Sequence, residues 1–156
     1  FRAVVGQQIS VAAATGQLRL LATLGDALPE PLDGLDRVFP TDAQVAAGAV
    51  DVLRGPVAKS EAVARVAAAL DDGSVVVEQG CDLERMRAQL VALKGIGPWT
   101  AGYVSLRLGD PDVLLLGDSA VRAGARRLGI DDLPALAADV APWRTQLMLH
   151  CWRASA

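Results

Sequence analysis

Apolar residues recur at helical spacing along most of the chain. Residues 63–70 follow an i, i+3, i+4, i+7 pattern, and a second amphipathic stripe covers 83–93. Further helices are predicted at 1–5, at 11–24, from 41 to about 49, at 119–128 and at 142–153. No internal repeat or low-complexity tract interrupts this pattern, which predicts an all-α fold.

Capping residues mark several of the predicted helix ends. Ser10 is expected to cap the second helical segment, and Gly25 follows the end of that segment. Thr41 to Gln44 has the spacing of a capping box. Ser60 is expected to cap the helix that carries the first apolar stripe.

Two stretches lack helical spacing. Residues 25–40 contain three prolines and two glycines, which predicts a loop. The apolar run at 113–116 is too short to assign, and it fits either a buried turn or a strand fragment.

The composition is that of one globular domain. The 156 residues are 52% apolar and 21% charged, which excludes disorder, and only 4% are aromatic, so a core of Ala, Leu and Val is expected. No apolar run approaches the roughly 18 residues of a membrane span, and no secretory signal opens the chain. Two cysteines cannot build a disulfide framework or a four-thiolate zinc site. This cysteine usage favours a reducing, cytoplasmic setting. Because Phe1 already lies in a helical pattern, we expect the chain to be part of a longer polypeptide.

The charge distribution leaves one basic segment. A net charge of −3 and a pI near 5.0 are not typical of a general nucleic-acid binder. Residues 94–127, however, carry five basic and three acidic side chains, which gives this segment a net positive charge. The same segment begins within the motif that carries most of the functional signal.

A short glycine-rich turn joins two predicted helices at 90–101. Gly95 and Gly97 permit positive φ and remove the Cβ atoms that would keep a ligand off the backbone. Pro98 suits the first turn of the second helix. The main-chain N–H groups at that helix N-terminus would form an anion site suited to a phosphate, and such a site grips the backbone without reading sequence. The alternative is an ordinary turn between two packed helices.

The twelve residues 90–101 resemble the helix-hairpin-helix motif. With the turn at 109–111 and the stretch Leu116 to Arg122, they resemble the HhH-GPD superfamily of DNA base-excision glycosylases. Three further stretches, at 2–11, 39–41 and 142–152, resemble its 3-methyladenine DNA glycosylase II branch. The resemblance covers 1–156 as one glycosylase domain, with the hairpin at about 83–108 and the Gly/Pro loop and essential aspartate at 109–118. It implies a compact helical fold with an active-site cleft between helical lobes.

Asp118 matches the catalytic carboxylate of that superfamily. Its position alone favours a simpler interpretation, in which it caps the helix that begins at Ser119. Both interpretations are compatible, because a helix N-terminus holds a carboxylate in its ionised form. Breaking an N-glycosidic bond develops positive charge on the deoxyribose, which a fixed anion would stabilise. Asp118 could instead orient the attacking water as a general base, and the sequence does not separate the two.

The residue before the hairpin's Thr-Ala pair decides between two classes of glycosylase. Bifunctional relatives carry a lysine there that attacks the sugar and then nicks the strand. Trp99 occupies this position, and the nearest lysine, Lys94, lies on the other side of the turn. The resemblance therefore implies a monofunctional enzyme that leaves an intact abasic site.

Three aromatic residues match positions that line the base pocket in this branch: Trp99, Tyr103 and Trp152. A base methylated at a ring nitrogen is cationic, and aromatic faces attract cations. The alternative is that these residues pack in the core. Trp143, which has Leu147 and Cys151 at i+4 and i+8, is expected to be a core residue.

The resemblance also implies a set of DNA contacts. It assigns them to Gln7, Gln8, Lys94, Gly95, Ile96, Gly97 and Thr100. Gln8 departs from the family, because a related enzyme inserts an apolar wedge at this position. Main-chain carbonyls of Val91, Leu93 and Ile96 would hold a monovalent cation, Na⁺ or K⁺, and no cofactor is required.

The leading hypothesis is hydrolytic release of alkylated purines, of the 3-methyladenine and 7-methylguanine type, from duplex DNA. The expected protein is a monomer without membrane contact, associated with the bacterial nucleoid. One alternative is a non-catalytic helix-hairpin-helix module that only grips the DNA backbone, with steeply salt-dependent binding. Another is a helical protein-interaction domain, which only the acidic pI favours.

Overall fold

The computed structural model describes the whole chain from Phe1 to Ala156. It contains nine helices and one small sheet, which confirms the expected helical class. The elements are α1 (Arg2–Val5), α2 (Val11–Ala22), β1 (Ala27–Leu32), β2 (Leu35–Arg37), α3 (Asp42–Val52), α4 (Val57–Asp71), α5 (Leu83–Ala92), α6 (Pro98–Arg107), α7 (Ser119–Arg127), α8 (Leu133–Asp139) and α9 (Arg144–Ser155). No helix has both the length and the apolar character needed to cross a bilayer.

The chain folds into two compact units. The first contains 1–77 and 88–97, and the second contains 78–87 and 98–156. The cleft between helical lobes stays a prediction.

In the first unit, α3 packs along α4, α1 packs against α4 and α2, and α2 packs against α3. These four helices form the core of the unit. Its fully buried side chains include Val5, Leu21, Val45 and Val63. The capping box predicted at Thr41 is present: the Thr41 hydroxyl accepts the Gln44 N–H at 3.2 Å, and Gln44 Oε1 accepts the Thr41 N–H at 2.9 Å. These local bonds fix where α3 begins.

The predicted Ser10 cap is confirmed, because the Ser10 hydroxyl accepts the Ala13 N–H at 3.2 Å. Two other predicted helix ends, at Ser60 and Gly25, are wrong. Helix α4 begins at Val57, so Ser60 lies inside it, where its hydroxyl donates to the Val57 carbonyl at 2.9 Å. The first two residues of α4, Val57 and Ala58, are exposed, so no buried apolar stripe marks the start of this helix. Helix α2 ends at Ala22, and Gly25 instead allows a close backbone approach, since a Cβ there would lie 1.9 Å from the Val38 carbonyl oxygen.

The loop predicted at 25–40 is instead a β-hairpin. Strands β1 and β2 pair antiparallel, with Leu32 opposite Leu35. Asp33 and Gly34 connect them, with φ values of +48° and +84°. Two-residue hairpin loops favour an Asp-Gly pair because both positions take positive φ. The signal for this hairpin was therefore present in the sequence.

In the second unit, α7 packs against α9 across a small apolar core. Its buried members are Val113, Leu115, Val121, Ala125, Leu133, Met148 and Cys151. The helices approach so closely at Gly124 that a Cβ there would lie 1.7 Å from the Cys151 carbonyl oxygen. Helix α8 was not predicted, although Asp132 caps it by accepting the Ala135 N–H at 2.9 Å.

The segment that leads to Asp118 is irregular and is held by α9. The Thr145 hydroxyl accepts the Val113 N–H and donates to the Asp110 carbonyl, both at 2.8 Å. The Leu115 N–H donates to the Met148 sulfur at 3.4 Å. Residues 113–115 are thus neither strand nor turn, because side chains of α9 take the place of a partner strand. The last residue of the predicted run, Leu116, lies in an exposed turn that the Asp118 N–H closes on the Leu115 carbonyl at 2.9 Å.

Trp143 is not a core residue. Its side chain is 61% exposed because α9 begins only at Arg144 and Trp143 precedes the helix. The buried face of α9 runs instead through Thr145, Met148 and Cys151. The prediction therefore started the apolar stripe at the wrong residue.

Candidate active site

Asp118 stands at the N-terminus of α7 and caps it. One carboxylate oxygen, Oδ1, accepts the N–H groups of Ala120 at 2.8 Å and Val121 at 2.9 Å. This is the ordinary geometry of an aspartate N-cap, and it confirms the structural interpretation of this residue. The side chain remains partly exposed.

Two tryptophans add a second pair of hydrogen bonds to this carboxylate. Trp99 Nε1, in the first turn of α6, donates to Oδ2 of Asp118 at 2.7 Å. Trp152 Nε1, near the end of α9, donates to Oδ1 at 3.2 Å. All three residues belong to the second unit. The structure thus brings together groups that lie 19 and 34 residues from Asp118 in sequence.

Tyr103 completes an aromatic cluster around the carboxylate. Its ring stacks on Trp99 with a centroid distance of 5.4 Å and an interplanar angle of 4°. It also lies 6.4 Å from the Trp152 ring, tilted by 51°. Trp99 and Tyr103 share one face of α6 because they are four residues apart. The three aromatics assigned to the base pocket are therefore contiguous.

These contacts set the protonation state of Asp118. Burial raises its pKa, but the two main-chain N–H groups and the two indoles together outweigh burial, so the pKa lies below its ordinary value. The carboxylate is consequently ionised at neutral pH. A negative charge is thus held in place by four donors.

The loop before Asp118 is held by a residue that sequence reasoning missed. Arg122 Nη1 donates to the carbonyls of Leu116 at 3.2 Å and Gly117 at 2.9 Å. Arg122 lies four residues after Asp118, one turn along α7, so its side chain reaches back over the loop. The only sequence signal for this role was an arginine four residues after Asp118, the predicted catalytic carboxylate.

A cavity of about 530 Å³ opens beside the Trp99 indole. Its other walls include Leu114, Leu116 and Gly117, so it adjoins the loop that ends at Asp118. Of the three aromatics predicted to line the base pocket, only Trp99 lines this cavity: Tyr103 covers one face of its indole, and neither Tyr103 nor Trp152 belongs to the walls. The volume exceeds that of a purine, and the walls are mostly apolar, as is usual for small-ligand sites.

Two arginines line the same cavity, and both are paired. Arg87 forms an ion pair with Oδ2 of Asp110, and the same oxygen accepts a hydrogen bond from the Ser105 hydroxyl at 2.6 Å. Arg144 pairs with Asp112, with Nε donating to Oδ1 at 2.6 Å. These pairs brace the loop at its start, while Arg122 braces its end.

The glycine-rich turn lies between α5 and α6, as predicted, and Pro98 is the first residue of α6. Gly95 has φ of +97°, and a Cβ there would lie 2.8 Å from the Ala62 Cβ. Gly97 does not have positive φ, and a Cβ there would meet nothing within 4 Å. Only Gly95 therefore needs to be glycine for the conformation of the turn.

The carbonyls of this turn are engaged by neighbouring side chains of the first unit. Gln7 Nε2 donates to the Gly95 carbonyl at 3.2 Å, and Arg65 Nε donates to the Lys94 carbonyl at 3.3 Å. Lys59 in turn donates to the Gln7 carbonyl. The side chain of Gln7 thus ties its own segment to the turn.

The predicted DNA contacts differ in accessibility. Gln8, Lys94 and Gly95 are exposed, and Gln8 has φ of +59°, which is uncommon for a residue other than glycine. Ile96 is 5% exposed and Thr100 is 3% exposed. The Ile96 and Thr100 side chains pack inward, so contacts of these two residues with DNA would have to involve their main chain, and the assignment of both residues to DNA binding stays a prediction.

The carbonyls assigned to a monovalent cation lie where free acceptors are expected. Helix α5 ends at Ala92, and the last carbonyls of a helix have no partner within it. The Leu93 carbonyl accepts the Ile96 N–H at 3.0 Å, which leaves one lone pair. Carbonyl oxygens can bind Na⁺ or K⁺, and the cation site at Val91, Leu93 and Ile96 stays a prediction.

The sequence is similar to two bacterial proteins that are named as DNA repair enzymes or DNA glycosylases. A protein of Mycobacterium tuberculosis named probable bifunctional transcriptional activator/DNA repair enzyme AlkA is 38% identical over 97% of this chain and 32% of its own length. DNA-3-methyladenine glycosylase 2 of Escherichia coli is 31% identical over 97% of this chain and 55% of its own length. The chain thus spans about a third of the first relative and about half of the second. No family model matches the sequence.

The fold is also similar to a solved structure. DNA-3-methyladenine glycosidase from Bacillus halodurans has a TM-score of 0.74 and 25% identity, covering 99% of this chain and 73% of that chain. With the sequence relatives, this similarity confirms the resemblance predicted from the hairpin and the aspartate.

Proposed function

We propose that this 3-methyladenine glycosylase-like chain carries the catalytic part of a monofunctional DNA glycosylase, which hydrolytically releases alkylated purines from duplex DNA in base excision repair. The observation that carries the proposal is the Asp118 carboxylate, which accepts hydrogen bonds from two indoles, one of which, Trp99, also lines a cavity of about 530 Å³. A helix cap alone does not require that arrangement.

In this reaction the bond between C1′ and the purine nitrogen breaks, and its electron pair leaves with the base. A cationic alkylated base accepts that pair readily, so little acid catalysis is needed. Positive charge develops on the sugar, where the ionised Asp118 stabilises it. Water adds to C1′ and releases a proton, which leaves an abasic site. In the alternative role for Asp118, the carboxylate orients that water as a general base.

The flipped base would occupy the cavity beside Trp99. Because Tyr103 covers one face of the indole, the other face is the one left for a base. An electron-poor base stacks well on such a face. In this arrangement the base enters the cavity while its sugar stays near Asp118.

DNA would be gripped outside this pocket by the exposed residues of the two turns. Gln8, Lys94, Gly95 and Gly97 would contact the duplex, and Gln7 would act by holding the glycine-rich turn. A monovalent cation on the carbonyls of Val91, Leu93 and Ile96 would add a positive charge facing a phosphate. The protein would act as a monomer in the bacterial cytoplasm, on the nucleoid.

A binding module without catalysis is the second candidate. The observation that favours it is the ordinary N-cap of Asp118, which gives this residue a complete structural reason. Such a module would bind duplex DNA with strong salt dependence and release no base.

The test uses the full-length protein and a duplex that contains radiolabelled methylated purines. Release of free base, with strands that break only after alkaline treatment, is the expected result. Strand nicking without alkali, or a protein–DNA crosslink after borohydride, would contradict the monofunctional assignment. Retained DNA binding without any base release would favour the second candidate.

A further inference from the structure

The contacts of Asp118 exceed what a helix cap needs. Both main-chain donors of the cap bind Oδ1, so a cap leaves Oδ2 free. Here Oδ2 accepts the Trp99 indole N–H at 2.7 Å. Because Oδ1 is fixed by α7, a donor on Oδ2 sets the plane of the carboxylate.

We propose that Trp99 and Trp152 are positioning residues that act through Asp118: their indole N–H groups fix the plane of its carboxylate, in addition to any stacking on the base. Trp99 contributes more, because its bond is the shorter one and holds Oδ2 without other help. The inference rests on the proposed function of Asp118.

Tyr103 supports this arrangement from behind the indoles. It stacks in parallel on Trp99 and packs against Trp152, so one ring restrains both donors. Side chains from α6 and α9 are thereby held at the N-terminus of α7. The cluster is anchored further because Met148, one turn before Trp152 on α9, is fully buried.

The indole hydrogen bonds predict how the pKa of Asp118 changes when an indole is removed. A donor that binds the ionised form lowers the pKa of a carboxyl group, so removing the donor raises that pKa. The acid limb of the pH–rate profile, where Asp118 becomes protonated, would therefore move to higher pH. Loss of stacking on the base would instead weaken substrate binding and leave this limb in place.

The test replaces each indole by a ring without an N–H. Trp99→Phe and Trp152→Phe keep an aromatic side chain, and Trp143→Phe is the matched control, because Trp143 is exposed and outside the cluster. Single-turnover release of methylated purine is followed from acidic to neutral pH with full-length protein. We expect Trp99→Phe to release base about tenfold more slowly at neutral pH, with the acid limb at higher pH. Trp152→Phe should show a smaller change in the same direction, and the control none.

A titration that does not depend on activity separates this inference from the proposed function. The Asp118 carboxyl carbon is followed by ¹³C NMR in the wild type, in Trp99→Phe and in the control. A higher pKa in Trp99→Phe supports the inference even if no base is released. An unchanged pKa and an unchanged acid limb would overturn it, whereas failure of the wild type to release base would overturn the proposed function.

Discussion

Asp118 serves the fold and the proposed chemistry with different atoms. Its Oδ1 satisfies the first N–H groups of α7, which any N-cap would do. Its Oδ2 faces the Trp99 indole beside the cavity. The backbone carbonyls immediately before it point to Arg122, which lies one turn later on the same helix. The side chains of Trp99 and Arg122 therefore fix the position of the negative charge on Asp118.

Arg122 offers a test at this scale. Arg122→Met removes both hydrogen bonds to the Leu116 and Gly117 carbonyls and keeps the length of the side chain. Because Arg122 is exposed, we expect stability to change by less than about 1 kcal/mol. Base release should slow by about fivefold, since a looser loop places Asp118 less well.

Arg126→Met is the matched control for that experiment. Arg126 lies one turn further along α7, is also exposed, and donates no hydrogen bond to these carbonyls. Single-turnover assays and urea unfolding are measured on both variants. Equal rates for the two variants would show that Arg122 does not position the loop.

At the scale of elements, the loop from 110 to 118 is held by paired carboxylates rather than by regular structure. Asp110 pairs with Arg87, Asp112 pairs with Arg144, and Asp118 caps α7. The Val113 N–H donates to the Thr145 hydroxyl and the Leu115 N–H donates to the Met148 sulfur, which attaches the loop to α9. The loop therefore owes its shape to side-chain contacts from several elements.

The pH dependence of stability follows from these pairs. Burial raises the pKa of Asp110, but hydrogen bonds from Ser105 and the Asp112 N–H, with the Arg87 charge, hold it below the ordinary value of 3.8. A depressed carboxyl pKa contributes stability that is fully present above the unfolded pKa and is lost as pH falls through the folded pKa. We expect thermal stability to fall as pH drops below about 4.

Asp110→Asn tests that assignment. The variant removes the titrating group, so its stability should be lower than that of the wild type at pH 7 and should change less at acidic pH. Melting curves at pH 7 and pH 3 provide the measurement. An equal decline in both proteins would mean that other carboxyl groups cause the acid sensitivity.

The crossing of α7 and α9 depends on Gly124. A Cβ at this position would lie 1.7 Å from the Cys151 carbonyl oxygen, so Gly124→Ala must push the two helices apart. We expect a loss of roughly 3 kcal/mol or more in unfolding free energy. Because α7 carries Asp118, base release should fall as well.

Gly16→Ala is the matched control. Gly16 lies inside α2, and a Cβ there would meet nothing within 4 Å. Alanine is the better helix former by about 1 kcal/mol, so this variant should be as stable as the wild type or more so. The free energy of unfolding of both variants is measured with denaturant. Equal changes in Gly124→Ala and Gly16→Ala would show that the close approach of α7 and α9 at Gly124 does not matter for stability.

At the scale of the whole molecule, helices were predictable wherever caps and apolar stripes are local. The capping box at Thr41 and the Ser10 cap illustrate this, since both depend on residues within three positions. The hairpin at 27–37 was missed because its prolines suggested a loop, although the Asp33-Gly34 pair indicated a tight turn. Trp143 was misassigned because an apolar stripe does not show where a helix begins.

The candidate site could be predicted only in part. The helix-hairpin-helix motif at 90–101 and Asp118 were predicted from short sequence motifs. The family resemblance pointed to the three aromatic residues that cluster around Asp118. The indole bonds to Asp118 join residues far apart in sequence, so no local pattern reveals them. The inward packing of Thr100 and Ile96 likewise depends on tertiary structure.

The measurement that tests the central claim most directly is base release by wild type and Asp118→Asn. The full-length proteins are incubated with duplex DNA containing radiolabelled methylated purines, and free base is counted. Asparagine can still cap α7, so folding and DNA binding should persist. The account predicts release by the wild type and a loss of at least about a hundredfold in Asp118→Asn. Equal release by both proteins, or none from the wild type while it still binds DNA, would contradict it.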